Sequence, residues 1–191
     1  MAQPLQGKKV AILATDGFEQ VELVQPREAV EKAGATTELL SIKDGEIQGM
    51  NHDEKGDRLP VDRLVSEASV DDYDALILPG GTTNPDKLRR DTNAVSFVRD
   101  FAASGKPIGV ICHGPWILIE AGVVRGRKMT SFESIRTDLK NAGAIVLDQE
   151  VVTDQGIVSS RSPDDLPAFC RKIVEEFAEG THRQQRETAA A

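Results

Sequence analysis

The chain of 191 residues fits one domain, because a single hydrophobic core commonly serves chains of about 100–200 residues. Its composition, 39% hydrophobic and 28% charged, is typical of a globular protein and excludes a disordered or membrane-embedded chain. A net charge of −8 leaves no broad basic surface for a phosphate backbone, so nucleic acid is not expected as a direct ligand.

The two cysteines, Cys112 and Cys170, lie far apart in the sequence and form neither a disulfide framework nor a metal-ligand array. This cysteine usage favours a reducing compartment. The N-terminal segment has no apolar signal-peptide core, and no stretch approaches the roughly 20 apolar residues that span a bilayer. We therefore predict a cytoplasmic protein without a membrane partner.

Apolar runs and turn residues predict alternating strands and helices in the first half of the chain. The predicted elements are a buried strand at 10–14, a helix at 19–33, strands at 36–42 and 46–50, a hairpin or exposed loop at 51–63, a buried strand at 74–78 and a helix at 93–104. Pro26 predicts a kink or a break within the first helix, because proline cannot donate the helical hydrogen bond.

The second half continues the same alternation. Its predicted elements are a buried strand at 107–111, an apolar helix that ends at 121, a strand at 128–130, a helix at 134–141, strands at 144–147, 151–153 and 157–160, and a helix at 163–178 that follows Ser162 as N-cap. The pattern predicts one α/β domain over 1–191, with a doubly wound, mostly parallel sheet, helices on both faces, and flexible ends at 1–7 and 181–191.

The candidate chemistry lies where the three buried strands end. In open α/β sheets, ligands bind at the carboxyl ends of the strands, so residues 15–19, 79–81 and 112–114 are expected to converge there. There is no glycine-rich dinucleotide or Walker motif, and His52 and His182 lie in polar stretches without spaced partners. The sequence therefore predicts neither a cofactor nor a metal.

Cys112 follows a buried strand directly and precedes a helix, as the nucleophile of a strand–turn–helix elbow does, and Gly114 permits a sharp turn. The start of a helix favours the thiolate and should lower the pKa of Cys112. His113 is placed to exchange protons with the thiol. The alternatives are a buried cysteine that packs as a small hydrophobe and a histidine bonded to local backbone.

Glu19 and Glu22, three residues apart near a helix start, share one face at the rim of the same crevice. Either carboxyl is a candidate to contact Cys112, and burial would keep it protonated so that it can donate a hydrogen bond. The alternative is favourable charge at a helix N-terminus. Gly80 and Gly81 are candidates to direct backbone N–H groups at an oxyanion, or are a structural turn.

Together, residues 17–23, 78–81 and 111–115 resemble the PfpI (intracellular protease I) family of the ThiJ/PfpI superfamily. Segments 121–128 and 159–161 also match in family order, so the resemblance covers nearly the whole chain. It implies a flavodoxin-like sandwich with an elbow similar to that of class I glutamine amidotransferases. It also implies self-association, with a homodimer as the basic unit and a hexamer as a larger assembly.

The resemblance assigns roles to individual residues. It implies Cys112 as nucleophile, His113 as its neighbouring base, Gly81 as an oxyanion-hole contributor, and Glu22 as the glutamate that hydrogen-bonds the cysteine. Glu19 matches a second acidic residue at the mouth of the site.

The sequence departs from the family pattern at two positions. In hexameric family proteases an acidic residue of an adjacent subunit orients the histidine, and Asp86 matches that position. Here the loop after Gly81 is one residue longer and carries Asp rather than Glu, which has a shorter reach. Phe132 replaces the tyrosine of the archaeal proteases.

Three functions use one thiol in this family, and the sequence leaves all three open. The first reading is a stress-protective deglycase or glyoxalase acting on small carbonyl compounds, 2-oxoaldehydes or their protein adducts. The enzymatic alternative is an intracellular cysteine peptidase that cleaves peptides. The non-enzymatic alternative is a redox sensor or holdase that works through oxidation of Cys112.

Overall fold

The computed structural model describes residues 3–182. The strands are β1 (Lys9–Leu13), β2 (Phe18–Glu19), β3 (Thr36–Ser41), β4 (Glu46–Asn51), β5 (Glu54–Pro60), β6 (Arg63–Leu64), β7 (Ala75–Leu78), β8 (Ile108–Ile111), β9 (Lys128–Met129), β10 (Ile145–Val146), β11 (Val151–Asp154) and β12 (Ile157–Ser160). The helices are α1 (Gln20–Lys32), α2 (Thr83–Leu88), α3 (Thr92–Ser104), α4 (Pro115–Glu120), α5 (Arg136–Asn141) and α6 (Leu166–Glu179). Short 3-10 turns cover Val65–Glu67, Val70–Asp72, Glu133–Ile135 and Pro163–Asp165.

Seven strands form the central sheet in the order β11-β12-β8-β7-β1-β3-β6. Every neighbouring pair is parallel except β11 and β12, which are antiparallel. The predicted mostly parallel, doubly wound sheet is therefore confirmed. Because β8, β7 and β1 are adjacent, their carboxyl ends lie side by side at one edge of the sheet.

Alternate residues of the central strands face two separate hydrophobic cores. In β1, Val10 belongs to the core that contains Leu23 of α1 and Phe169 of α6, whereas Ala11 belongs to the core that contains Phe97 of α3. Burial on both faces explains why these strands are continuous apolar runs rather than alternating ones.

The polar segment 51–63 completes a hairpin, in which β5 pairs antiparallel with β4. β4 also pairs in parallel with β2, the two-residue strand that leads directly into α1. This second sheet holds the hairpin beside the N-terminus of α1. At the hairpin tip, His52 has a φ of 57°, a left-handed conformation that few residues other than glycine adopt.

Two local features differ from the predictions. α1 continues through Pro26 without a break, and its buried face contains Leu23, Pro26 and Val30, so packing on the sheet offsets the missing hydrogen bond. In the predicted flexible N-terminal end, Leu5 is fully buried and its N–H donates to the Ala33 carbonyl at 2.9 Å.

Residues 183–191 of the predicted flexible C-terminal end lie outside the described part of the chain. Over the residues that are described, no helix combines the length and the apolar character needed to cross a bilayer.

Candidate active site

Cys112 forms a strained turn between β8 and α4. Its φ is 63°, and its backbone is fixed on both sides: the N–H donates to the Ser160 carbonyl at 3.1 Å, and the carbonyl accepts from the Phe132 N–H at 2.9 Å. The Gly114 N–H donates to the Ile111 carbonyl at 2.9 Å, which closes the turn before α4. This is the geometry expected of a nucleophile elbow.

Glu22 reaches the elbow from the buried face of α1. Its side chain is fully buried, and its Oε2 accepts the Gly80 N–H at 2.9 Å. Oε1 is also buried and makes no hydrogen bond of regular geometry with a described residue, and the Cys112 thiol is among the groups that interact with this carboxyl. Of the two candidate glutamates, Glu22 is the one in contact with the cysteine.

Burial is the main cause of a raised pKa of the Glu22 carboxyl. It raises the pKa of the carboxyl to about 8, and the negative charge of Glu19 adds to the increase, while interactions with Cys112 and the N–H groups of Gly80 and Gly81 oppose it. The carboxyl is therefore mainly protonated at neutral pH and can act as a hydrogen-bond donor beside the sulfur.

Cys112 is only 6% exposed, and the pKa of its thiol is raised rather than lowered. Burial is the largest cause, and the charge of an ionised Glu22 is the second, whereas N–H groups of Gly81 and His113 favour the thiolate. The predicted lowering of the Cys112 pKa is thus wrong, because desolvation outweighs the start of the short helix α4. Protonation of Glu22 removes the repulsive contribution and leaves the N–H groups to stabilise a thiolate as it forms.

The imidazole ring of His113 lies against the sulfur of Cys112. Its Nδ1 is 3.2 Å from the Cys112 Sγ, and its Nε2 is 3.0 Å from the Oγ of Ser134. The ring stacks on Phe132 with centroids 4.7 Å apart and meets the edge of Trp116 at 5.3 Å. Burial lowers the pKa of His113, so the imidazole is neutral at pH 7 and available as a base.

The Gly80-Gly81 turn fits between the elbow and the α1 segment only because both positions lack a side chain. A Cβ on Gly80 would lie 2.4 Å from Glu22 Oε2 and 2.6 Å from Cys112 Cβ, and Gly81 has a φ of 77°. The Gly81 N–H interacts with the Cys112 sulfur, as expected of a donor to an oxyanion formed there.

Asn84 of α2 holds this turn in place. Its Oδ1 accepts the Thr15 N–H at 2.8 Å, and its Nδ2 donates to the carbonyls of Pro79 and Gly80 at 3.1 and 3.0 Å. The fully buried amide therefore joins the loop after β1 to the loop after β7.

The thiol opens into a cleft of about 510 Å³, whose lining includes Cys112, His113, Glu22 and Gly81. Glu19 lies at its side, where both carboxylate oxygens accept the His52 N–H at 3.2 and 3.3 Å. The hairpin tip thus closes one wall of the cleft.

The DJ-1/PfpI family model matches residues 8–176. The chain belongs to the DJ-1/PfpI family.

Three family members illustrate the relationship. The chain is 46% identical to Protein/nucleic acid deglycase 2 of Escherichia coli over 170 residues, covering 87% of this chain and 96% of the relative. It is 42% identical to "Putative cysteine protease YraA" of Bacillus subtilis over 168 residues, with 87% and 96% covered. A two-domain protein from Anabaena variabilis, with DJ-1/ThiJ/PfpI-like and ferritin-like domains, gives a TM-score of 0.84 at 36% identity; the match covers 88% of this chain and 47% of the larger one.

Among the titratable candidates of this DJ-1/PfpI chain, Asp86 is the one that does not line the cleft. It belongs to the first turn of α2 and lines a separate groove with Arg89 and Arg99, whereas Nε2 of His113 meets Ser134. A role for Asp86 in the site of a neighbouring subunit stays a prediction.

Sequence reasoning missed three residues around the Cys112 cleft of this chain: Ser134, Asn84 and His52. Ser134 was assigned only to the start of a helix, and no spacing connects it to His113, 21 positions earlier. Asn84 precedes a proline in a helix of six residues, too short to show a periodic pattern. His52 acts through its backbone N–H, which carries no sequence signal.

His182 does have acidic neighbours, contrary to the prediction. Its Nε2 is 2.9 Å from Glu176 Oε1, and Glu179 lies close enough for the three side chains to share a cation. None of the three lines the Cys112 cleft of the DJ-1/PfpI domain.

Proposed function

We propose that the protein is a cysteine-dependent hydrolase of the deglycase or glyoxalase type, acting on 2-oxoaldehydes or their adducts with proteins. The observation that carries this proposal is the pairing of the buried Cys112 thiol with Glu22, whose pKa burial raises to about 8. A carboxylic acid that keeps its proton at neutral pH is suited to proton transfer during addition of sulfur to a carbonyl.

The first step would be addition of the Cys112 sulfur to the aldehyde carbon. A carbon–sulfur bond forms as the carbonyl π bond breaks, and the thiol proton passes through His113 to the new alkoxide oxygen. The product is a hemithioacetal. The Gly81 N–H, which favours negative charge on the sulfur, would stabilise the alkoxide before it is protonated.

The second stage would move a proton between the two carbons. Neutral His113 removes the C–H proton of the hemithioacetal while protonated Glu22 donates a proton to the ketone oxygen, which gives an enediol. The imidazolium then returns its proton to the former ketone carbon, and Glu22 regains a proton from the hydroxyl on the sulfur-bearing carbon, which leaves an enzyme-bound thioester. Water then attacks the thioester carbonyl and releases a 2-hydroxy acid and the free thiol. For an adduct, the amine leaves when the aldehyde carbon is transferred to sulfur, so the protein side chain is restored.

The peptidase alternative has support in the name of the Bacillus subtilis relative and in the contact between Cys112 and His113. A peptidase must, however, stabilise the imidazolium that forms during acylation, a task for which a carboxylate is suited. The group at His113 Nε2 within the described chain is a neutral hydroxyl. This contact favours the aldehyde chemistry.

The redox alternative requires an accessible thiol of low pKa. Cys112 is 6% exposed and burial raises its pKa, so both observations disfavour a sensor. We further propose that the enzyme works in the cytoplasm as a stress-protective homodimer. The two isolated free cysteines are compatible with a reducing compartment.

The direct test is methylglyoxal consumption with detection of lactate. Wild type should produce lactate catalytically, and Cys112→Ser and Glu22→Gln should each reduce kcat/KM by roughly a hundredfold or more, since one removes the nucleophile and the other the transferable proton. Cys170→Ser is the matched control and should retain activity, because Cys170 lies outside the cleft. Absence of lactate formation by wild type with a titrated, reduced Cys112 would contradict the proposal, and cleavage of peptide substrates would then support the alternative.

A further inference from the structure

The imidazole of His113 connects the buried thiol to the surface. Cys112 and His113 are 6% and 8% exposed, but Ser134, the partner of His113 Nε2, is an exposed residue. A proton that leaves the sulfur through Nδ1 therefore has one hydrogen-bonded route outward, from Nε2 to the Ser134 Oγ and then to solvent. The contacts along this route are 3.2 and 3.0 Å.

The segment that carries Ser134 is fixed to the elbow itself. Phe132 donates its N–H to the Cys112 carbonyl at 2.9 Å and stacks its ring on His113. Ser134 follows two residues later within the 3-10 turn Glu133–Ile135. The hydroxyl is thus held by the same backbone contact that fixes the nucleophile, and it does not depend on a neighbouring subunit.

The two nitrogens of the ring must have opposite roles for His113 to serve as a base. Nδ1 can accept a proton from sulfur only when Nε2 carries the hydrogen, and a hydrogen on Nε2 needs an acceptor. Among the described residues, no carboxylate forms an ion pair with this ring, and the hydroxyl of Ser134 is the group in place.

We propose that Ser134 is a positioning residue that accepts the Nε2 hydrogen of His113, holds the tautomer in which Nδ1 faces the Cys112 sulfur, and relays protons to solvent. This inference rests on the proposed function for its catalytic consequence, although the tautomer exists without substrate. His113 and the group that positions it then belong to the same subunit. An acidic residue from a second subunit is then unnecessary for the chemistry.

The test compares wild type with Ser134→Ala, Ser134→Thr and the control Ser162→Ala. Ser162 is partly exposed beside the cleft-lining Pro163, and its side chain forms no cap hydrogen bond. We expect Ser134→Ala to lower kcat/KM for methylglyoxal about tenfold and to change its pH profile, because an imidazole without its partner samples both tautomers. The threonine variant retains the hydroxyl and should have the kcat/KM and the pH profile of wild type. Ser162→Ala should also behave as wild type.

A second readout is independent of turnover. Long-range 1H–15N spectra of the imidazole rings report the tautomer directly, and with 3 histidines in the chain, His113→Asn suffices to assign the signals of His113. Wild type and Ser134→Thr should show the Nε2–H form, and Ser134→Ala a mixture. An unchanged tautomer and pH profile in Ser134→Ala would overturn the inference. Failure of wild type to make lactate, with the Nε2–H form lost in Ser134→Ala, would instead contradict only the proposed function.

Discussion

At the scale of single residues, the site contains groups whose backbone conformation or burial lowers the stability of the folded protein. A non-glycine residue with left-handed backbone costs on the order of 1–3 kcal/mol, and Cys112 has a φ of 63°. Glu22 adds a carboxyl with no exposure to solvent. Hydrogen bonds from Ser160 and Phe132 to the Cys112 backbone, and from Gly80 to Glu22, hold these groups in place.

The raised pKa of Glu22 makes the stability of the native protein depend on pH. Between the ordinary pKa of 4.5 and about 8, the native carboxyl keeps a proton that the unfolded chain has lost, so stability falls as pH rises through this window. Glu22→Gln has no proton to lose. We expect its Tm, relative to wild type, to increase steadily from pH 5 to pH 8.

Thermal unfolding followed by circular dichroism at several pH values measures this difference. Glu28→Gln, an exposed position on the same helix, is the matched control and should show a flat difference. A flat difference for Glu22→Gln as well would mean that Glu22 is ionised in the native protein.

Sequence reasoning at this scale worked for residues adjacent to a recognisable pattern. Cys112 was identified from the apolar strand that precedes it. The spacing of Glu19 and Glu22 made both of them candidates, and it was the family resemblance that pointed to Glu22. Ser134 could not be identified, because its contact with His113 depends on how the chain returns to the elbow after α4. The sign of the Cys112 pKa shift also depends on burial, which a local motif does not determine.

At the scale of elements, the loops after β1 and β7 act as one unit. Asn84 makes three hydrogen bonds to the backbone of these loops from a fully buried position. The turn of Gly80 and Gly81, and with it the Gly81 N–H, takes its position from this link.

Removal of the Asn84 amide should therefore affect both stability and activity. Asn84→Ala leaves buried backbone groups without partners, which costs about 1–3 kcal/mol, and at about 2–4 °C per kcal/mol the Tm should fall measurably. Lactate formation should fall as well, because the oxyanion donor is no longer fixed. Asn93→Ala, at an exposed position in α3, is the control and should leave Tm and lactate formation unchanged. If Asn84→Ala has an effect as small as that of Asn93→Ala, the loops keep their conformation without the Asn84 amide.

Elements with a strong pattern were predicted well, and those defined by tertiary contacts were not. The buried strands β1, β7 and β8 and the long helices α3 and α6 agree with the sequence to within a few residues. The six-residue helix α2 was missed because its polar sequence has no apolar period. Segment 51–63 remained ambiguous because both a hairpin and a loop suit polar residues.

At the scale of the whole molecule, a chain of net charge −8 presents an acidic cleft. Glu19 and Asp53 line it, and no lysine or arginine is among its lining residues. The field of such a cleft opposes anionic substrates and is screened by salt over about 10 Å at 0.1 M.

Charge should therefore determine which aldehydes are used. We expect methylglyoxal to be consumed with a higher kcat/KM than glyoxylate, and Asp53→Asn to narrow that ratio a few-fold at low salt, because one negative charge is removed from the cleft. Glu54→Gln removes the same charge from the same hairpin outside the cleft lining and should leave the ratio unchanged. Equal ratios in wild type and both variants would rule out charge selection by the cleft.

The fold class was predictable at this scale, since alternating buried strands and helices permit few other arrangements. The oligomeric state was not predictable from the sequence pattern, because the surface of one chain does not specify which surface it binds. The predicted homodimer, and the contribution of Asp86 to a neighbouring site, depend on residues of a second copy.

The depth of Cys112 has a consequence for how a damaged protein could be repaired. With 6% of the residue exposed, the sulfur is more accessible to an extended side chain than to the backbone of a folded substrate. An adduct at the end of a lysine or arginine side chain extends several ångströms from its parent surface and can enter. The length of the modified side chain would therefore determine the outcome. An adduct on a long side chain is removed, while the peptide bonds of the same protein are not cleaved.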